Sequence, residues 1–269
     1  MSIVTIPREI QLLIFGQLRV LDLVRLSETC HRLKDAARDP SLWRQLTLTY
    51  ERIKNKNEAC RNHVSRCSSL REIVITGEEK VMRSDKIIAV LKKAKTSLTS
   101  IHLSLGLRWI FSLACLRELK TLKVSRILWG PDTNIPNGAL VNLFRTLKKL
   151  EQVEMREMKF SALESLVNNN PNLHHLDIKH LSSRSLILIA EKCPQLTYIG
   201  IGDCGNVSEE ALQRFADPST TASLKELCFS KYSFYYSPQL ADRLKANPPR
   251  VEIVPKYKTC RIKFFSAPL

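Results

Sequence analysis

The 269-residue sequence lacks the features that mark secreted, membrane-spanning and zinc-binding proteins. Its eight cysteines include no C-x-x-C pair, so neither a zinc ribbon nor a dithiol redox motif is indicated. No stretch reaches about 18 uninterrupted apolar residues, and the start MSIVTIPREI has no basic segment followed by a long apolar run. We therefore expect an intracellular protein, cytoplasmic or nuclear, with mostly reduced and buried thiols and no membrane contact.

Recognisable catalytic motifs are also absent. The sequence has no G-x-S-x-G, H-E-x-x-H or phosphate-binding glycine loop. His174, His175 and His180 lie close together, but adjacent residues of a strand point to opposite faces, and no matching set of metal ligands accompanies them. We expect no enzyme activity, no metal and no cofactor.

Positive charge, in contrast, is abundant. Lysine and arginine number 42 against 26 aspartate and glutamate, a formal net charge of +16. Residues 1–48 carry only +2 of this, so the remaining residues carry +14. Such a surface favours an acidic partner, which could be an acidic or phosphorylated protein, nucleic acid or an anionic membrane, and charge alone does not choose among them.

The first 48 residues have the pattern of short helices. Pro7 suits a first helical position, and one apolar face recurs over Arg8–Leu18. Further helices are predicted from Asp22 and over His31–Arg38. After the capping pair Asp39-Pro40, a short last helix is predicted with Leu42, Trp43 and Leu46. Apolar residues occupy more of the surface of the first helix than a small core can bury. Its main apolar face consists of Ile10, Leu13, Ile14 and Leu18, whereas Leu12 and Phe15 lie off that face. The surplus must be buried against the following domain or against a partner.

This segment, IPREIQLLIFGQLRVLDLVRLSETCHRLKDAARDPSLWRQLTL, resembles an F-box. The match runs without a gap from Ile6-Pro7 to Leu42-Trp43, and Leu33 departs from the tryptophan common at that position. The resemblance implies docking on the Skp-family adaptor of a cullin-based ubiquitin ligase. The contact candidates that it implies are Ile6, Pro7, Ile10, Ile14, Phe15 and Leu18.

A second pattern occupies residues 66–255. An apolar-x-x-apolar-x-apolar triple recurs every 21 to 31 residues, which is close to the period of leucine-rich repeats. Helix signals fill the intervals, including a capping-box signature at Ser161 and Glu164 and a cap at Ser182 or Ser183. The first residues of the seven triples are Leu70, Leu98, Leu119, Leu150, Leu173, Leu196 and Leu224.

Alternating strand and helix predict an α/β fold with parallel strands. The string around Cys204 resembles the cysteine-containing leucine-rich repeats that follow many F-boxes, which implies a curved solenoid with helices on its convex side. A doubly wound sheet is the alternative, although the glycine-rich phosphate loop typical of many such folds is absent. On the exposed strand face we select Arg156, His175, Lys179 and Tyr198 as target-binding candidates, because charged and aromatic side chains dominate binding energy once desolvated.

The predicted organisation is an F-box at 1–48, a linker at 49–65, about seven repeats at 66–255 and a basic tail at 256–269. The predicted function is substrate recognition for an SCF-type ubiquitin ligase, with an adaptor and, through it, a cullin as partners and a target protein on the repeats. An F-box scaffold that delivers no target and a basic nucleic-acid-binding repeat protein are the alternatives, and we favour a protein partner.

Overall fold

The computed structural model describes residues 3–18, 20–49, 69–76, 85–103, 110–125, 136–203, 207–216, 223–230, 250–256 and 259–265. The chain divides into two compact units, one of residues 1–119 with 128–133 and one of residues 120–127 with 134–269. The predicted linker from residue 50 onward, Cys204 and the last four residues of the predicted tail lie outside the described residues.

The first unit begins with helices. A 3-10 helix at Ile3–Thr5 precedes α1 (Arg8–Phe15), α2 (Val20–Ser27) and α3 (His31–Ala37), and a second 3-10 helix spans Pro40–Trp43. Asp39 caps that last turn, because its side chain accepts a 3.0 Å hydrogen bond from the Ser41 backbone N–H. The Trp43 indole is buried and donates to the Ala37 carbonyl at 2.8 Å. The predicted three-helix module is confirmed, although α1 ends at Phe15 and not at Leu18.

The sheet starts earlier than the sequence indicated. Leu46 was predicted on a short helix, and this prediction is wrong, because it is buried in strand β1 (Gln45–Thr49). β1 pairs in parallel with β2 (Glu72–Thr76), which pairs in parallel with β3 (Ser100–Leu103). The helical module therefore runs directly into the first strand. Helices α4 (Asp85–Lys93) and α5 (Ile110–Leu113) complete the described part of this unit.

The second unit repeats a strand followed by a helix. In chain order these elements are β4 (Thr121–Val124), α6 (Asn137–Thr146), β5 (Gln152–Glu157), α7 (Phe160–Asn169), β6 (His175–His180), α8 (Ser183–Lys192), β7 (Tyr198–Asp203), α9 (Glu209–Ala216) and β8 (Glu226–Ser230). Strands β4 to β8 are all parallel, each paired with the next along the chain. The prediction of parallel strands alternating with helices is confirmed.

One backbone contact recurs where the strands begin. The carbonyl of Glu151 accepts hydrogen bonds from the N–H groups of His174 and His175, at 3.0 and 3.2 Å. The His174 carbonyl accepts in the same way from Thr197 and Tyr198, and the same contact links Lys120 to β5 and Thr197 to β8. Each strand therefore fixes the starting point of the next one, which holds all five in register.

Alternate strand residues and one face of each helix form the core. In β5 and β6, Val153, Met155, Leu176 and Ile178 are buried, whereas the residues between them are half-exposed. Helices α7 and α8 bury their own apolar faces at Leu163, Leu166, Leu186 and Ile189. The strands thus keep one packed face and one open face.

Two local predictions about helix starts have different outcomes. Ser182 caps α8 by accepting from the Ser185 N–H at 3.3 Å, as the sequence suggested. The capping box at Ser161 and Glu164 is wrong, because α7 already begins at Phe160 after Lys159. A buried amide stabilises the other end of α7 instead: Asn170 donates to the Leu166 carbonyl at 3.0 Å and accepts from the Leu150 N–H at 2.8 Å.

The chain continues past β8 into a hairpin. Strand β9 (Arg250–Lys256) pairs antiparallel with β10 (Thr259–Phe265), which pairs antiparallel with β8. The sequence interpretation placed residues 256–269 in a basic tail, whereas 259–265 are part of this sheet.

Neither a membrane span nor a disulfide occurs in the described parts of the chain. None of the helices there combines the length and the apolar character that crossing a bilayer requires. Of the four cysteines described there, Cys30, Cys115, Cys193 and Cys228, all are free thiols, and Cys193 is buried. Cys30 is exposed, so the prediction of buried thiols is wrong at that position.

Candidate interaction surfaces

Helix α1 presents an apolar patch to solvent. Leu13 is 69% exposed and Ile10 is 45% exposed, although both are large aliphatic residues. Five of the six large hydrophobic side chains that are exposed within the described segments belong to residues 3–18. This apolar patch consists of Ile3, Ile10, Leu13, Ile14 and Leu18. A group of exposed aliphatic residues within sixteen positions of the chain, unlike a single exposed leucine, indicates a surface that another molecule covers.

The opposite side of α1 explains why the patch faces outward. Phe15 is fully buried, and Gln11 is buried with its amide donating to the carbonyls of Ile3 and Ile6, at 2.9 and 3.1 Å. These contacts fix the preceding 3-10 helix onto α1 and set the rotation of the helix. The i, i+3 and i+4 spacing of Ile10, Leu13 and Ile14 then places all three on the other side.

The six predicted adaptor contacts are therefore placed differently from one another. Ile10, Ile14 and Leu18 belong to the patch, Pro7 is exposed just before α1, and Ile6 is half-buried. The prediction that Phe15 contacts the adaptor is corrected, because its fully buried ring leaves no surface for a partner. Leu13, the most exposed member of the patch, was on the predicted apolar face but not among the predicted contacts.

The second surface is the open face of strands β4–β8. The strand register arranges its side chains in rows that run across the strands. The first row is Thr121, Gln152, His175, Tyr198 and Glu226. The second row is Lys123, Glu154, Asp177, Gly200 and Cys228.

A polar network joins the two rows. Lys123 Nζ lies 2.6 Å from Glu154 Oε1, and His175 Nε2 lies 3.2 Å from the same oxygen. The His175 contact is poorly aligned as a hydrogen bond, so we treat it as an electrostatic contact that operates when the imidazole is protonated. The His175 and Tyr198 rings stack with their centroids 4.1 Å apart, at an interplanar angle of 5°. The Tyr198 hydroxyl is 3.4 Å from Asp177 Oδ2, a long hydrogen bond.

The two carboxylates of the second row have opposite environments. The neighbouring His175, and then Lys123, lower the pKa of Glu154 to about 2 against the opposing effect of burial. Burial raises the pKa of Asp177, and the negative charge of Glu154 raises it further. His175, Lys179 and the Tyr198 hydroxyl only partly offset this. Glu154 is thus a paired charge, and Asp177 is a charge without a close cationic partner among the described residues.

Asp177 leans into the space left by Gly200. The two residues are opposite each other in the register, and a Cβ added at Gly200 would lie 2.7 Å from Asp177 Cγ and 2.8 Å from its Oδ1. Any side chain at position 200 would displace the carboxylate. The glycine therefore matters here for the space it leaves, and it determines where the Asp177 charge lies.

The four predicted target contacts all lie on β5–β7, but only two of them touch. His175 and Tyr198 form the stacked pair. Arg156 and Lys179 lie further along their strands, half-buried and exposed respectively. Asp177 and Gly200 were not selected from the sequence, because their contact depends on which residues the register brings together.

No metal-binding arrangement occurs among the side chains that the structure describes. No group of three or more histidine, cysteine, aspartate or glutamate side chains gathers there in a way that could hold an ion. His174 is directed to Gln152, with 3.3 Å between the two Nε2 atoms, and His180 Nε2 is 3.9 Å from Glu157 Oε1. The adjacent histidines thus have separate neighbours.

The chain is similar to known proteins in a sequence family and in a solved structure. Residues 3–49 match the F-box-like family. Among solved structures, the chain is similar to a leucine-rich-repeat protein of Leptospira interrogans, with 14% identity and a TM-score of 0.45. The similarity covers 80% of this chain but 56% of that protein, so the chain spans little more than half its length. No curated protein matches the chain.

The structure thus combines a helical segment with an outward apolar face and a series of repeated strand–helix units. Residues 3–49, the helical segment and the first strand, match the F-box-like family.

Proposed function

We propose that this protein is the substrate-recognition subunit of an SCF-type ubiquitin ligase, in which the F-box-like domain binds a Skp-family adaptor and the repeats bind a target protein. The observation that carries the proposal is the apolar patch of α1, in a domain whose family generally binds that adaptor. The protein performs no chemistry itself; it raises the concentration of a target near a ubiquitin-loaded enzyme on the same cullin scaffold.

The patch has the character of an interface centre. Aliphatic side chains that are exposed in the free protein lose that exposure on binding, at roughly 25 cal/mol for each Å² of apolar surface removed from water. The isolated 3–49 segment is also too small to cover its own apolar surface, as short helical segments usually are. Cytoplasmic or nuclear location belongs to the same proposal, because cullin scaffolds act there.

Substitution of Leu13 by Glu tests the adaptor interaction. The change places a charge in the middle of the patch, while leucine and glutamate have similar helix propensities. We expect Leu13→Glu to weaken capture of a purified Skp-family adaptor by at least about tenfold, measured by biolayer interferometry. Unchanged adaptor affinity would contradict the proposal, as would failure of the wild-type chain to bind the adaptor at all.

Arg32→Glu is the matched control for this experiment. Arg32 is exposed on α3, so the substitution also adds a carboxylate to a helix of the same domain, outside the apolar patch. We expect its adaptor affinity to stay within about twofold of the wild type.

Depletion of the protein in cells tests whether it delivers a target. It should lengthen the lifetime of at least one bound target, and adaptor binding without any such target would favour a scaffold role.

A further inference from the structure

The charge of the open face differs from the charge of the whole chain. Three acidic residues (Glu154, Asp177, Glu226) and three basic residues (Lys123, Arg156, Lys179) lie on the described open face of β4–β8. The face is therefore balanced, and the excess of positive charge that gives the chain +16 lies elsewhere. An acidic target, which the total charge suggested, finds no matching excess of positive charge on this face.

The carboxylates on this face differ in how far they are neutralised. Glu154 has Lys123 at 2.6 Å and His175 at 3.2 Å. Asp177 has no cationic group within ion-pair distance in the described part of the chain, and the neutral Tyr198 hydroxyl is 3.4 Å from its Oδ2. Asp177 is also desolvated and lies beside ionised Glu154. A cation that approached Asp177 would thus relieve two unfavourable effects at once.

The surroundings of Asp177 suit a cationic group. Its carboxylate lies over Gly200, and the Tyr198 ring, whose hydroxyl is 3.4 Å from Asp177 Oδ2, stacks on the ring of His175 beside it. Aromatic rings beside carboxylates are typical surroundings for a bound guanidinium or ammonium group.

We propose that the open face of β5–β8 binds a basic segment of the target protein, with an arginine or lysine side chain held by the Asp177 carboxylate beside the stacked rings of His175 and Tyr198. This inference rests on the proposed function only in taking the open face as the target-binding surface. Charge complementarity selects the occupant, because the site is a carboxylate without a close cation. The rest of the face is balanced in charge, and the positive net charge of the chain opposes basic peptides elsewhere.

Selection from a display library of random short peptides on the immobilised full-length chain, at physiological salt, tests the proposal. We expect peptides enriched by the wild-type chain to contain arginine or lysine. Because the net charge of the protein opposes such peptides, non-specific attraction does not explain their enrichment. The enriched peptides should bind Asp177→Asn about tenfold more weakly in fluorescence polarisation.

Glu164→Gln is the matched control. It removes the same unit of negative charge from an exposed position on α7, away from the open face, and should leave peptide binding unchanged. Thermal unfolding separates binding from folding: Asp177→Asn should be at least as stable as the wild type, because the charge it removes is unfavourable in the folded protein.

Three outcomes would overturn the inference: enrichment of acidic or uncharged peptides, equal binding of enriched peptides to Asp177→Asn, or no enrichment above background. The selection is done without the adaptor. A failed adaptor experiment with Leu13→Glu therefore leaves this result standing, and a failed selection leaves the adaptor result standing.

Discussion

At the residue scale, the open face depends on a glycine and an aspartate that occupy one space. Gly200 lies at an ordinary negative or extended φ, so alanine would fit its backbone, but the alanine methyl would meet the Asp177 carboxylate. The coupling of these two positions is therefore steric and can be measured.

A double-mutant cycle tests the shared space. We expect Gly200→Ala to lower the free energy of unfolding by about 1–3 kcal/mol in the wild-type background, since the carboxylate must leave its position. In the Asp177→Ala background the same substitution should be nearly neutral, because the clash is gone. Urea unfolding of the four proteins gives the coupling energy, and additive effects would show that the two residues do not compete for space.

Glu154 makes the stability of the repeats depend on pH. Its folded pKa of about 2 lies below its ordinary value of 4.5, so its ionised form stabilises the folded protein. That contribution is complete above the ordinary pKa and is lost as the pH falls from 4.5 towards 2. We expect Glu154→Gln to lower stability by roughly 1–2 kcal/mol near neutral pH, with a difference that shrinks below pH 4.5.

Glu157→Gln provides the comparison for this pH series. Glu157 lies on the same strand but is more exposed, and its Oε1 is 3.9 Å from His180 Nε2. Denaturant unfolding between neutral and acidic pH should show little difference between Glu157→Gln and the wild type. A Glu154→Gln effect of constant size across that range would contradict the assigned role of the carboxylate.

At the element scale, α1 has two faces with different roles. Its inner face contributes Phe15 to the core, whereas its outer face contributes Leu13 to the apolar patch. We expect Phe15→Ala to lower the free energy of unfolding by about 3–5 kcal/mol and Leu13→Ala to change it by less than about 0.5 kcal/mol. Chemical denaturation measures both, and a large effect at Leu13 would mean that its own chain covers the patch.

Helix α1 also shows where periodicity stops being informative. A helix that is apolar on most sides is predicted to be buried. The pattern does not show which of its apolar residues are buried by the same chain and which by a partner. The rotation of α1 depends on the contacts of Gln11 with the preceding carbonyls and on the ring of Phe15. Neither is visible as a period, and Phe15 was accordingly included among the predicted contacts although it is buried.

Strand β1 shows a related limit at the end of the F-box-like domain. Leu42, Trp43 and Leu46 have helical spacing, and only the first two lie in a helical turn. Leu46 is in a strand because β2 offers it a parallel partner, with Arg71 and Glu72 donating to the Arg44 carbonyl. A local pattern was overridden by pairing with residues more than twenty positions away.

At the scale of the whole molecule, the sequence by itself determined the order of parts. A gapless F-box-like segment, a triple that recurs every 21 to 31 residues, and helix signals between the triples predicted helices followed by parallel strands. These features are readable because each depends on neighbours within one helix or strand, where spacing along the chain determines which side chains share a face.

Only the tertiary structure decided which surfaces carry the interactions. It separated Leu13 from Phe15 and placed the Asp177 carboxylate in the space above Gly200. Each of these depends on strand register and on the rotation of a packed helix. The physical reason is that contacts between residues far apart in the chain set both, and those contacts exist only once the core has formed.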